Sequence, residues 1–161
     1  MSAERCSLCG RPLDTHERDL RFKLPDPIFA VPEQQRELSW GGDALVAARG
    51  IGQFIRVLLP VRLSGGYEVR YGTWLSVSEK EARRSWETWD QPSYIDLEIS
   101  GFLANAIPPW SQALLGAQAR ARVRKQDELP YVVGSSNDLL ARVLSEEWPH
   151  EDVLSSFPNP A

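Results

Sequence analysis

The sequence predicts an α+β domain: a mostly antiparallel sheet built around a long central hairpin, with helices packed on one face and an N-terminal CxxCG knuckle. Two observations carry this prediction. Between Gln53 and Ser78, apolar residues occupy every second position, which is the period of half-buried strands. Elsewhere, short alternating runs outnumber helical patterns, and short turns join them, as in a sheet with helices to one side.

The composition limits the classes of function. The 161 residues suit one domain, 1–161, and neither an internal repeat nor an interdomain linker interrupts them. The net charge of -4 argues against a nucleic-acid partner, because such proteins need a basic field to displace counterions. The longest apolar run, residues 57–61, is too short to span a bilayer, and the N-terminus has no apolar signal region. We therefore expect a cytoplasmic protein without a membrane partner.

An extended N-terminal segment and one short helix are predicted before the central hairpin. The knuckle and an extended segment cover residues 6–26, and prolines interrupt this segment before any helix can form. Pro32, followed by residues 33–37, suits a short helix with proline in its first turn.

The register of the central hairpin follows from its two apolar rows. A three-residue loop, residues 64–66, sets Leu63 opposite Tyr67 and keeps both rows on one face. A two-residue turn would instead set Leu63 opposite Glu68. We therefore predict the longer loop, with a glycine at positive φ and a bulge.

Capping residues and periodicity predict the remaining helices. Ser78 with Glu81 is a capping box, so a helix begins there with Ala82, Trp86 and Trp89 on its apolar face.

A last helix, capped by Asn137, is expected from Asp138 to about Trp148, ending before Pro149. Residues 155–161 carry two prolines and no periodicity, which predicts a frayed tail.

Three further strands are predicted. Residues 95–99 alternate toward Leu103, and residues 117–123 alternate alanine with arginine. Alanine favours helix, but strict alternation favours strand, and we predict strand. Residues 129–133 then form its hairpin partner.

An ordered series of motifs spans residues 6 to about 105: Cys6-x-x-Cys9-Gly10, Asp19-Leu20-x-Phe22-x-x-Pro25-Asp26, Phe54-Ile55-Arg56 with Pro60-Val61, Tyr71-Gly72-x-Trp74-x-Ser76-Val77-Ser78, Trp89 and Gly101-x-Leu103. In this order they resemble the bacterial family of domains of unknown function numbered 2199. The resemblance implies a small bacterial cytosolic protein without an assigned activity. Such sequences often carry His-Pro-Leu-Ala near the C-terminus, where this chain has residues 138–141, Asp-Leu-Leu-Ala, so a role of that histidine is not carried over.

Cys6 and Cys9 have the spacing of metal ligands. Zinc in a structural site takes about four ligands, and His16 is the best placed third candidate. His150, Asp14, Asp19 or a second chain are the other sources. The alternative is a degenerate knuckle whose cysteines pack without metal.

Two surfaces are candidate interaction sites. Phe54, Arg56, Leu58 and Trp74 share the second face of the hairpin, where the register sets Arg56 opposite Trp74 as a cation-π pair. They form either an exposed interaction patch or a small second core, and the second is the commoner outcome for large aromatic residues.

The second surface is an arginine row, which can hold an acidic partner or phosphate but is more often the solvated side of an edge strand. The row consists of Arg120, Arg122 and Arg124.

Catalytic signals are weak. Both histidines lie in segments predicted as loops. Asp96 and Glu98 could serve acid-base chemistry, but alternating acidic residues are ordinary on a solvent-exposed strand face. The sequence contains no G-x-S-x-G, P-loop or dinucleotide fingerprint. We therefore predict a non-catalytic binding or interaction module with another protein as partner. The alternatives are a small zinc-binding protein and an enzyme of unknown type.

Overall fold

A computed structural model describes residue 5, residues 19–41 and residues 44–154. Strands dominate this part of the chain, which confirms the predicted α+β class. The strands are β1 (Asp19–Arg21), β2 (Leu38–Gly41), β3 (Leu45–Ala48), β4 (Gly52–Leu63), β5 (Tyr67–Val77), β6 (Glu98–Leu103), β7 (Gln118–Arg122), β8 (Tyr131–Gly134) and β9 (Glu147–Trp148). The helices are α1 (Asp26–Phe29), α2 (Glu79–Thr88), α3 (Asp138–Ser145) and α4 (His150–Leu154), with 3-10 helices over Glu33–Gln35 and Pro92–Asp96. The predicted knuckle at Cys6 and Cys9, His16 and the tail 155–161 lie outside the described residues.

The central hairpin has the predicted register. β4 and β5 pair antiparallel with Leu63 opposite Tyr67, so the loop consists of residues 64–66. Gly65 and Gly66 have φ angles of 84° and 87°, which glycine adopts far more readily than other residues. The prediction succeeds because the two apolar rows and the turn are encoded by neighbouring residues.

Five strands close into a ring. β5 pairs with β4 and β6, β7 joins β6 to β8, and β8 returns to β4 in parallel with Leu58 opposite Tyr131. Ile55, Val57 and Leu59 are completely buried on one face of β4, here called the inner face, where the larger core lies. The predicted strand over residues 117–123 and its hairpin partner are both confirmed as β7 and β8.

The opposite face of the hairpin, here called the outer face, carries a smaller core. Phe54 and Trp74 are 2% and 0% exposed, and Val46 from β3 and Ile28 from α1 pack with them. β1 and β2 are the two ends of the strand order. The ring of Trp40 on β2 nevertheless lies 6.4 Å from that of Trp74 on β5, three strands away in the sheet. The β2 end therefore folds back over the outer face.

A buried asparagine holds the segment after β1 against this smaller core. Asn105 is completely buried, and its Oδ1 accepts hydrogen bonds from the Thr73 hydroxyl at 2.8 Å and the Trp74 backbone N–H at 3.1 Å. Its Nδ2 donates to the Leu24 carbonyl and to Asp26 Oδ1, each at 3.0 Å. Because both ends of the amide are satisfied, the segment is fixed to the loop after β6.

Both predicted N-caps form: Ser78 Oγ accepts from the Glu81 N–H at 3.2 Å, and Asn137 Oδ1 accepts from the Leu140 N–H at 3.0 Å. None of the described helices has the length and apolar character needed to cross a membrane.

Other details of the prediction are wrong. A helix, α1, does form among the N-terminal prolines, because Pro25 and Pro27 occupy its N-cap and first turn, where proline is tolerated. Trp86, assigned to the apolar face of α2, is 59% exposed. The last predicted helix ends at Ser145, and residues 147–148 pair with β4 instead. His150, expected in a loop, begins α4 and is buried. Ile95, expected in a strand, lies exposed in a 3-10 helix.

Candidate functional site

The hairpin patch predicted from sequence is a second core. Phe54 and Trp74 are buried, and Arg56 is 6% exposed. The Arg56 guanidinium lies 4.4 Å from the Trp74 ring centroid and donates to the Phe22 carbonyl at 3.1 Å. The Trp74 indole N–H donates to the same carbonyl at 3.0 Å. The cation-π pair is thus confirmed, but these three residues do not form an exposed patch.

The arginine row is exposed, but it does not lie on an edge strand. β7 lies between its hairpin partner β8 on one side and β6 on the other, so neither of its edges is free. The Arg124 guanidinium stacks 4.1 Å above the Tyr131 ring. The Arg120 side chain covers Gly134, where a Cβ atom would meet its Nη2 at 2.2 Å. Arg122 pairs across from Glu98 in the register of the sheet. The row therefore covers its neighbouring strands.

The metal prediction stays a prediction. Among the described residues, no group of three or more His, Cys, Asp or Glu side chains is arranged to hold a metal ion. His150, one of the candidate ligands, is 4% exposed; its Nε2 hydrogen-bonds the Ser64 carbonyl and its ring packs edge-on against Tyr67 at 5.4 Å. These contacts hold α4 to the hairpin loop.

An acidic hollow near the end of α2 contains Tyr94, the titratable group whose pKa is most strongly raised among the described residues. Burial, with a contribution from the nearby Glu128 carboxylate, raises the pKa of Tyr94 to about 12. Its hydroxyl donates to the Glu128 carbonyl, and its ring packs against Trp89 at 4.9 Å. A phenol with this pKa stays protonated at neutral pH, so Tyr94 acts there as a hydrogen-bond donor that holds the 3-10 helix over Pro92–Asp96 to the loop at Glu128.

The most prominent surface feature is strand β2, where large aromatic side chains lie exposed on both faces. Trp40, on the strand itself, is 51% exposed, and Trp86, on α2, is 59% exposed. Trp40 pairs across β3 with Val46, which in turn pairs with Phe54, so Trp40 lies on the outer face. Tryptophan offers a large apolar surface to a partner, and neighbouring exposed apolar residues often mark an interaction site.

Trp86 lies on the inner face of the same strand. A Cβ atom on Gly41 would meet the Trp86 ring at 2.7 and 2.8 Å, so the indole rests directly on the β2 backbone. Only a residue without a side chain permits this approach. Gly41 pairs with Leu45, whose side chain belongs to the inner face.

Trp86 helps to form an apolar pocket of about 220 Å³ against β2, β3 and β4. The lining residues are Ser39, Trp40, Gly41, Leu45, Val46, Ala47, Gln53, Phe54, Ala82 and Trp86. This volume is below the roughly 300–1,000 Å³ of small-molecule sites, so it suits one or two side chains of a larger partner.

One of the lining residues, Gln53, also has a buried polar atom without a partner. The Gln53 Oε1 atom is buried and accepts no hydrogen bond within the described chain. A buried acceptor without a donor costs about 1–3 kcal/mol of stability.

A second pocket, of about 440 Å³, lies on the outer face and is here called the cationic pocket. It is lined by Arg21 and Lys23 from the β1 end, Arg56 from β4 and Trp40 from β2. Arg21 and Lys23 are exposed and form no ion pair with any described residue. A chain with net charge -4 thus concentrates positive charge here.

Sequence reasoning missed this site for an identifiable reason. Trp86 lies at helical spacing from Ala82, which normally indicates a core position, so its exposure was not expected. Trp40 follows Ser39 in a run too short to show a period. The sequence does show that Trp40 precedes two glycines and that Trp86 lies in the helix capped by Ser78. Neither pattern specifies that the Trp86 ring contacts strand β2.

A bacterial family with the description "Uncharacterized protein conserved in bacteria" matches residues 5–145. No curated protein and no solved structure matches the chain.

Proposed function

Because this chain belongs to the family of domains of unknown function numbered 2199, which has no assigned activity, we propose from its own geometry that it is a non-catalytic binding module for another protein. The observation that carries the proposal is the pair of exposed tryptophans, Trp40 and Trp86, on the two faces of strand β2. Tryptophan is among the residues most enriched at the centres of protein interfaces.

The pocket supports a protein partner over a small molecule. Its lining is almost entirely apolar, its volume fits a side chain, and Leu45 beneath it is buried in the larger core. A preorganised apolar floor reduces the entropy lost on binding. An anchoring side chain of the partner would enter beside Trp86, where burial of its apolar surface provides most of the affinity.

Selection of binding peptides tests this proposal. A random peptide library displayed on phage is selected on the wild-type protein, and the dissociation constants of synthetic versions of the enriched peptides are measured by fluorescence anisotropy. For Trp86→Ala we expect the affinity to fall about 30-fold, the effect of losing a hot-spot residue worth about 2 kcal/mol.

Phe102→Ala provides the matched control. Phe102 is 54% exposed on β6, a strand that does not pair with β2, so its loss removes a similar apolar surface elsewhere. We expect the enriched peptides to bind this variant as they bind the wild type. The proposal is refuted if no peptide is enriched, or if Trp86→Ala and Phe102→Ala weaken binding equally.

A further inference from the structure

The chemistry around strand β2 also indicates what kind of segment binds. Resting on the proposed function, we propose that the partner supplies an extended segment that adds as a strand to β2. Its apolar side chains enter the groove on the inner face, and its acidic side chains meet Arg21 and Lys23 on the outer face.

The first step concerns the edge itself. β2 ends the strand order, pairing only with β3 among the described strands, and Ser39 and Trp40 are exposed at its centre. A strand at the edge of a sheet offers unpaired backbone N–H and C=O groups to an incoming strand. Addition of a strand at such an edge is a common mode of peptide recognition.

The second step concerns the inner face. Beside the apolar pocket lies a wider hollow of about 700 Å³ that runs from Glu37 along β2 and shares three lining residues with it, Ser39, Ala47 and Gln53. The two hollows together follow the strand. A groove parallel to an edge strand fits an extended chain better than a compact ligand.

The third step concerns charge. Arg56 is already engaged with Phe22 and Trp74, so the cations available to a partner are Arg21 and Lys23. Both are exposed on the same pocket as Trp40, and neither has an acidic partner in the described chain. Carboxylates are the complementary groups on a protein segment, since guanidinium and ammonium groups pair with them directly.

The two pockets lie on opposite faces of one strand. Side chains of a neighbouring strand alternate between these faces with a period of two residues. An added strand with acidic and apolar residues in strict alternation therefore places every acidic residue on the side of Arg21 and Lys23, and every apolar residue beside Trp86. A strand with basic residues at these positions would instead place its cations against Arg21 and Lys23.

Two synthetic peptide libraries test the inference. In both, apolar residues occupy every second position; the intervening positions are Asp or Glu in the first library and Lys or Arg in the second. Binding to the full-length protein is measured by fluorescence anisotropy. We expect binders from the acidic library alone, with affinity that weakens as salt is added, because exposed charges are screened.

A charge reversal provides the decisive control. In Arg21→Glu/Lys23→Glu, acidic binders should lose roughly tenfold in affinity, the worth of two partly exposed ion pairs, and basic peptides should gain affinity. Replacement of a central residue of the peptide by proline should also weaken binding, because proline has no backbone N–H to donate to strand β2.

The outcomes separate this inference from the proposed function. If peptides from both libraries bind equally and depend on Trp86, the binding module stands and the acidic strand is refuted. If binders are insensitive to both Trp86→Ala and the charge reversal, both proposals fail. Competition by a peptide of residues 6–18 of this chain, equal in strength to the acidic binders, would assign the site to the chain's own segment and refute an external partner.

Discussion

Replacement of Asn105 by alanine should be among the most destabilising single substitutions in the described chain. The amide is completely buried and makes four hydrogen bonds, to Thr73, Trp74, Leu24 and Asp26. Its loss leaves the Trp74 N–H and the Leu24 carbonyl unsatisfied inside the protein, while the Thr73 hydroxyl can rotate and Asp26 keeps its bond to the Ala106 N–H at 2.7 Å.

The magnitude follows from those two orphaned groups. Each buried backbone group without a partner costs about 1–3 kcal/mol, and the cavity left by the amide adds to this. We expect Asn105→Ala to lower the free energy of unfolding by about 3–5 kcal/mol, a large part of the 5–15 kcal/mol typical of a domain. Urea denaturation followed by tryptophan fluorescence measures it.

A matched pair of variants separates the network from simple loss of a side chain. Thr73→Val removes one donor but leaves the Asn105 oxygen bonded to the Trp74 N–H, so we expect about 1 kcal/mol. Asn137→Ala removes the N-cap of α3, which is also worth about 1 kcal/mol but lies elsewhere. A cost for Asn105→Ala no greater than these controls would show that the buried network contributes little.

Two further predictions test local features. Gly41→Ala should cost about 1–3 kcal/mol and change the emission of Trp86, because the new Cβ atom overlaps the indole ring and also meets Leu45 Cβ at 2.9 Å. In a Trp86→Ala background the cost should shrink to the part due to Leu45, and an unchanged cost there would contradict the packing described. For Tyr94, a folded-state pKa of about 12 lies above the unfolded value of 10.0, so the stabilisation is fully present below about pH 10 and is lost as the pH rises through 12. Between pH 10 and 12 the free energy of unfolding should therefore fall less steeply with pH in Tyr94→Phe than in the wild type. Identical slopes for the two proteins would refute the role of this phenol.

The sequence predicts those parts of the fold that neighbouring residues encode. The hairpin register depends on a period of two and on Gly65 and Gly66, and the α2 start depends on Ser78 with Glu81; all lie within a few positions of one another. Closure of the ring depends instead on the pairing of Leu58 with Tyr131, which lies more than seventy residues later in the sequence. No local pattern specifies such a pairing.

The candidate site was not predictable for the same reason. Phe54, Arg56 and Trp74 share a face, as the alternation predicts, but the segment of Phe22 covers them, and the Asn105 amide holds that segment in place. Conversely, α2 places Trp86 over Gly41 and not over the larger core. Exposure is decided by which elements pack together, and periodicity shows only which residues share a face.

The same long-range contacts connect the stability of the smaller core with the proposed binding site. Arg21 and Lys23 belong to the segment that continues into Leu24 and Asp26, where the Asn105 amide holds it, and Arg56 bonds the Phe22 carbonyl between them. A ligand that engages Arg21 and Lys23 therefore binds only when this segment is in place. By linkage, such a ligand should raise the free energy of unfolding, and loosening the segment at Thr73 should weaken binding although Thr73 lines neither pocket.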